Sequence, residues 1–233
     1  MSCIVVSFGW SWEFVSRAIV FRGGLKHGDR VILVVSRARG DYEVKRFRDA
    51  LYGVERFVEG LGIDFDECVR ICEVDVYGDD FLGVVENVSS CIASVLRDCN
   101  SLEVYLLGGM RILVLATLFS IDIIRSIVSI DTTVFSGPED ASRVIEIPKH
   151  LYRVYSRYTE KQLEVLARLL ELGEASIDLL TDNRSIDTVR KTLNRLVRKG
   201  LVEKLLQGRR TIYRLTGYGR IIARIYKVYR YGQ

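Results

Sequence analysis

Two glycines and an arginine, Gly108, Gly109 and Arg111, follow directly on an apolar segment, Val104 to Leu107, in the stretch EVYLLGGMRIL. A second apolar segment of helical length, Ile112 to Phe119, comes immediately after. A strand that breaks at glycines and restarts as a helix leaves backbone N–H groups unpaired at the positive end of the helix dipole. Those donors favour an anion. Glycine suits the turn because a Cβ would hold a ligand off the backbone, or because φ must become positive. Arg111 adds a forked donor matched to phosphate. The turn is expected to floor a site for a phosphate-bearing ligand, with a plain strand-to-helix turn and a surface arginine as the structural alternative.

Positioning such a turn requires a sheet, and residues 1–147 alternate between strand and helix patterns. Ile4 to Ser7 reads as a strand and Glu13 to Phe21 as a helix. Val31 to Val35 is a strand apolar throughout, as one buried on both faces should be, and Asp41 to Leu61 a long helix. Val69 to Val74 and Phe81 to Leu96 repeat the pattern, as do Val104 to Leu107 and the helix from Ile112. Thr132 to Phe135 and Val144 to Ile147 add a fifth strand and an edge strand. This alternation predicts an α/β fold with an open, mostly parallel sheet and helices on both faces. Ligands of such sheets bind beyond the carboxyl ends of the strands. Those ends supply Phe8, Gly9, Trp10 and Ser11, then Ser36 and Arg37 with Arg39, then Gly108, Gly109, Met110 and Arg111, and finally Ser136 and Gly137.

Several chemistries do not match. A dinucleotide fingerprint needs G-x-G-x-x-G after the first strand and an acid after the second; this chain has one glycine and two arginines there. There is no Walker loop, and no Ser/His/Asp or Cys/His set. Asp79 and Asp80 read as an acidic loop. Five scattered cysteines with no histidine nearby lack zinc spacing and are expected to be buried small hydrophobes. With four Asn and three Gln the composition leans thermophilic, where an internal disulfide is more admissible. The rim reads as a sensor pocket, with no catalytic residues, metal or cofactor expected. No segment reaches the roughly 20 apolar residues of a membrane span, and the chain opens on a strand with no charged leader, so a cytoplasmic location is expected.

The two halves differ in charge. Residues 1–150 hold 16 Lys+Arg against 22 Asp+Glu, a net of −6, whereas residues 151–233 hold 18 against 8, a net of +10. Both prolines, Pro138 and Pro148, fall near the switch. The expected division is a sensing domain over 1–137, a linker over 138–158 and a second domain over 159–233. In the basic half, Glu160 to Leu172 reads as a helix, Ala175 to Leu180 as a short second helix, and the segment after Ser185 as a third with a buried stripe of Ile186, Val189, Leu193, Leu196 and Val197. Leu201 to Leu205 and Thr211 to Leu215 form a hairpin, and Gly217 to Tyr231 a closing helix that packs on its own domain or on a second subunit. Three helices and a hairpin predict a winged helix-turn-helix. Its third helix should enter the major groove of duplex DNA with Ser185, Thr188, Arg190, Lys191, Asn194 and Arg195 outward, while Arg209 and Arg210 at the hairpin tip reach the backbone or minor groove.

The whole chain resembles the archaeal CRISPR-associated transcriptional regulators that join an N-terminal CARF (CRISPR-associated Rossmann-fold) domain to a C-terminal winged helix-turn-helix. The likeness rests on Ser7-Phe8-Gly9, on LLGGMR (106–111), and on SIDTVRKTLNRLVRKGLVEK (185–204) with GRRTIYRLT (208–216). It implies a homodimer that holds a cyclic oligoadenylate, usually the tetra-adenylate, across its two-fold axis, and that regulates CRISPR operons through promoter DNA. By position, the ligand contacts would be Phe8 to Ser11 and Gly108 to Arg111; Ser36 and Arg37 are added from strand-end geometry. Trp10 and Trp12 would either stack on adenines or occlude the pocket. Two alternatives stand beside sensing. One is ring-nuclease cleavage of cyclic tetra-adenylate supported by Arg37, Arg111 and Ser11, for which no general base is in evidence. The other is a one-component regulator sensing a different anionic metabolite.

Overall fold

The computed structural model describes residues 1–138, 143–149, 157–181, 185–207 and 210–232. The chain divides into two compact units, Met1–Tyr155 and Ser156–Gln233. Most of the segment expected as a linker, together with Arg209 and residues 182–184, lies outside the described residues.

In the first unit the order is β1 (Ser2–Ser7), α1 (Glu13–Phe21), β2 (Arg30–Ser36), α2 (Asp41–Gly60), α3 (Phe65–Cys68), β3 (Val69–Val74), α4 (Phe81–Val95), β4 (Ser101–Leu106), α5 (Arg111–Ile127), β5 (Asp131–Ser136) and β6 (Ile145–Ile147). The sheet runs β3-β2-β1-β4-β5-β6. All neighbours pair parallel except β6, which runs antiparallel to β5 as an edge strand. β6 falls inside residues 138–158, so part of the expected linker belongs to the sheet. The central strands are buried along nearly their whole length because helices cover both faces. On one face Val15, Ala18 and Ile19 of α1 and Ala50, Val54 and Val58 of α2 pack with Ile4, Val6, Val31 and Leu33. The short α3, capped by the Asp64 carboxylate on the Glu67 N–H, was not legible in the pattern because four residues carry no periodicity.

Four of the five cysteines depart from expectation. Cys3 is bonded to Cys99 and Cys72 to Cys91, with Cα atoms 5.7 and 6.0 Å apart; Cys68 alone remains a buried free thiol. The partners are separated by 96 and 19 residues. Folding of the sheet, with α4 packed on it, brings them within bridging distance.

At the start of the sheet Arg22 joins three elements. Its guanidinium meets Asp29 at 2.8 Å and Glu103 at 3.1 Å, and Asp29 is 3% exposed. Burial pushes the Asp29 carboxyl up, but the Ser2 and Lys26 N–H groups and Arg22 outweigh it and hold the group below 3.8. A carboxylate depressed on folding stabilises the protein above its unfolded value, and that contribution is lost as pH falls through the folded value. Asp29→Asn should therefore lower stability by about 2 kcal/mol at neutral pH and flatten the loss of stability below pH 3.8. Urea titrations at pH 7 and pH 3 check this; an unchanged acid limb would contradict it.

The second unit contains α6 (Glu160–Leu172), β7 (Glu174–Ser176), a 3-10 turn (Ile177–Leu180), α7 (Ile186–Arg198), β8 (Val202–Gln207), β9 (Arg210–Leu215) and α8 (Gly217–Tyr231). A capping box of Thr159 and Gln162 starts α6. The expected second helix is instead β7 and the turn: Gly173, at φ 73°, ends α6 and sends the chain along β9. β8 and β9 pair antiparallel, with Gln207 opposite Arg210. α8 packs on α6 within the unit, where Tyr226 donates to Glu160 at 2.7 Å and Lys227 pairs with Glu171 at 3.2 Å.

Candidate functional site

The doubly wound strand order reverses between β1 and β4: the chain leaves β1 toward β2 on one side and leaves β4 toward β5 on the other. The two outgoing loops separate there and open a crevice at the carboxyl ends. A cavity of about 360 Å³ occupies this point, lined by Phe8, Gly9, Trp10, Phe14, Val35, Ser36, Phe47, Leu107, Gly108, Gly109 and Met110. Its volume lies within the roughly 300–1,000 Å³ usual for small-molecule pockets.

Backbone contact between the two loops explains the glycines. A Cβ on Gly9 would lie 2.9 Å from the Gly109 nitrogen, and one on Gly108 would lie 2.6 Å from the Phe14 ring. Gly109 itself has φ 93°. The loops thus touch backbone to backbone at Gly9 and Gly109, a close approach that a side chain at Gly9 would force apart. Gly9→Ala should cost about 1–3 kcal/mol, read as a lowered melting midpoint; full retention of the wild-type midpoint would show that the contact is dispensable.

Seven of the residues expected at the site line the cavity: Phe8, Gly9, Trp10, Ser36, Gly108, Gly109 and Met110. Three do not. Ser11 donates its hydroxyl to Glu13. Arg37 turns to Glu73 at 3.1 Å and Asp75 at 3.9 Å, because β3 ends in carboxylates beside β2. Arg111 is the first residue of α5, exposed beside the lining residue Met110, and has no carboxylate partner among the described residues. Arg39 likewise pairs with Asp75 at 2.7 Å, which with the Gly78 and Tyr77 N–H groups holds that carboxyl below its ordinary value. Ser136 is a strand further on and donates to the Leu106 carbonyl, while Gly137 abuts Arg143. Asp80 caps α4 through the Gly83 N–H, and Asp79 accepts from Asn87. Phe14, Val35, Phe47 and Leu107 were missed. Val35 and Phe47 sit in runs that read as ordinary core, and nothing in periodicity separates a wall from a core position.

The tryptophans do not fill the cavity. Trp12 docks on α2, against Gly53 and with its ring 6.2 Å from Phe57. Trp10 stands at the wall, 39% exposed. The lining is aromatic on one side, with Phe8 and Phe47 edge to face at 6.3 Å, and backbone amide on the other. Flat apolar rings and anions are both suited to such a lining.

In α7, Ser185 caps the helix by accepting from the Thr188 N–H, and the two hydroxyls lie 2.8 Å apart. Val189, Leu193 and Leu196 are buried. Ile186 is not: it is 46% exposed, and Val197 is half-buried, so the stripe is narrower than the periodicity implies. Thr188, Lys191, Asn194 and Arg195 share the opposite, exposed face. Arg190 is on the flank and pairs with Asp187 at 2.8 Å. Arg210 begins β9 and is exposed.

A doubly wound sheet with a lined crevice at its switch point defines a Rossmann-like domain. Residues 2–148 match the family described as the Csa3 CRISPR-associated Rossmann-like domain. The chain belongs to that family. No curated protein matches it. Among solved structures, that of protein VC1899 from Vibrio cholerae is similar at 10% identity and a TM-score of 0.39. The alignment covers 98% of this chain and 66% of that one, a likeness too distant to argue from. No helix among the described residues is long and apolar enough to cross a membrane.

Proposed function

We propose that the protein is a CRISPR-associated transcriptional regulator, a homodimer that senses a cyclic oligoadenylate, the tetra-adenylate in particular, in its strand-end cavity and binds promoter DNA through its second unit. The observation that carries the sensing half is the cavity itself: aromatic walls, backbone amides and the N-terminus of α5 converge at the switch point of a domain matched to this family. Adenines suit the rings, and phosphates suit the amides and Arg111. A two-fold arrangement is supported by α5. Arg111, Leu115 and Phe119 follow at helical spacing along it, Leu115 and Phe119 are 50% and 48% exposed, and Phe119 meets Phe81 of α4 edge to face at 5.7 Å. A second copy covering that apolar stripe would bring two Arg111 side chains toward one ring.

The DNA-binding half rests on the order α6, α7, β8, β9, read as a winged helix, with α7 turning Thr188, Lys191, Asn194 and Arg195 outward. The exposed Ile186 adds an apolar group suited to a thymine methyl. Cleavage of the ring is disfavoured relative to sensing, since Ser11 and Arg37 are both tied to carboxylates away from the cavity. Incubation with cyclic tetra-adenylate should return the intact ring on chromatography, and a promoter fragment should be retarded by the protein. Linear products would favour the nuclease, and binding of other anions in preference to the ring would favour a metabolite sensor.

A further inference from the structure

We propose that Arg46 of α2, held between Trp10 and Tyr42, is a ligand-binding residue of the strand-end cavity, taking a nucleobase beside Trp10 and a phosphate at its guanidinium edge. The guanidinium carbon lies 5.5 Å from the Trp10 ring centre and 5.8 Å from that of Tyr42. Tyr42 and Arg46 are one helical turn apart, so α2 stacks them on one face. The next residue, Phe47, lines the cavity, as does Trp10. The column therefore adjoins the cavity wall at Trp10. Tyr42 is 69% exposed and Trp10 39% exposed, so two large rings are kept in water with a cation between them.

Charge separates Arg46 from its neighbours. Arg37 and Arg39, at the adjoining strand end, are neutralised by Glu73 and Asp75. Arg46 has no carboxylate within ion-pair distance among the described residues, and its charge is met only by ring faces. A guanidinium lying on aromatic rings still presents its N–H edge in plane, where a phosphate oxygen can accept. Trp12, two residues beyond Trp10, is fixed at Gly53 on the same helix, so the first loop lies along α2 and Trp12 is not among the lining residues. Neither Arg46 nor Arg111 is itself a lining residue; Arg46 stands next to the wall residues Trp10 and Phe47 on α2, and Arg111 next to Met110 on α5.

This inference rests on the reading of the cavity as a nucleotide site, and the test separates the two. The chain contains two tryptophans, so Trp12→Phe leaves Trp10 as sole reporter. In that background cyclic tetra-adenylate should quench Trp10 emission saturably. Arg46→Ala should raise the dissociation constant about tenfold or more with an unchanged melting midpoint, and Arg46→Lys should recover part of the loss. If calorimetry shows the ring binding while Trp10 emission stays constant and Arg46→Ala binds equally well, the role of Arg46 is overturned and ring sensing stands. If 5′-AMP quenches Trp10 in an Arg46-dependent way and the ring does not bind, Arg46 stands and ring sensing falls. Silence of Trp10 toward both probes overturns the proposal.

Discussion

Arg111→Ala should weaken binding of cyclic tetra-adenylate by about two orders of magnitude while leaving the affinity of the unliganded protein for DNA within about twofold. A charge-assisted hydrogen bond to phosphate is worth roughly 1.5–3 kcal/mol, and a ring on a two-fold axis would lose one from each copy. Arg111 has no carboxylate partner among the described residues, so its removal leaves no buried acid unpaired. Its aliphatic stem is exposed at the first turn of α5, where alanine is well tolerated in a helix. The variant should therefore melt like the parent. Calorimetry for the ring and gel retardation for DNA make the comparison. Parallel loss of both activities would mean that Arg111 supports the fold.

The second large effect concerns α7. Replacing Lys191 and Arg195 together with alanine should reduce promoter affinity by about a thousandfold. A bidentate base contact contributes roughly 1–3 kcal/mol, and each lost phosphate contact lowers the salt slope by about one. Both side chains are exposed, opposite the stripe of Val189, Leu193 and Leu196, so stability should change little. Arg190→Ala should be milder, because its guanidinium is shared with Asp187. The measurement is retardation of a promoter fragment at several salt concentrations. An affinity and salt slope identical to those of the parent would remove α7 from the DNA-binding surface.

How much of this was legible beforehand follows from the kind of signal each feature leaves. Strand–helix alternation is a long-period pattern, and it marked β3 at Val69–Val74 and α1 at Glu13–Phe21 with the observed bounds. It could not mark α3, or distinguish β7 and its 3-10 turn from a short helix, since three or four residues hold no period. The loops after β1 and β4 were visible because glycine interrupts apolar runs there, and both loops line the cavity. The reason for the glycines was only partly visible: Gly9 and Gly108 are small because Gly109 and Phe14 press on them, a relation between segments about 100 residues apart. Arg37 looked equivalent to Arg111 in one dimension. Glu73 and Asp75, brought beside it by the β2–β3 pairing, make the difference. Phe47 read as core because a cavity wall and a packed interior select the same side chains. The disulfides were hidden for a like reason: Cys3 of β1 meets Cys99 of the loop before β4, and Cys72 of β3 meets Cys91 of α4, pairings that only the tertiary packing brings about.

The proposed ring sensing by a pair of subunits fixes a stoichiometry, and calorimetric titration of the protein with cyclic tetra-adenylate reads it directly. One ring bound per two chains, with the affinity lowered about a hundredfold by Arg111→Ala, is the result expected of a shared cavity at the strand ends. One ring per chain, or no heat at concentrations where the protein is dimeric, would contradict it.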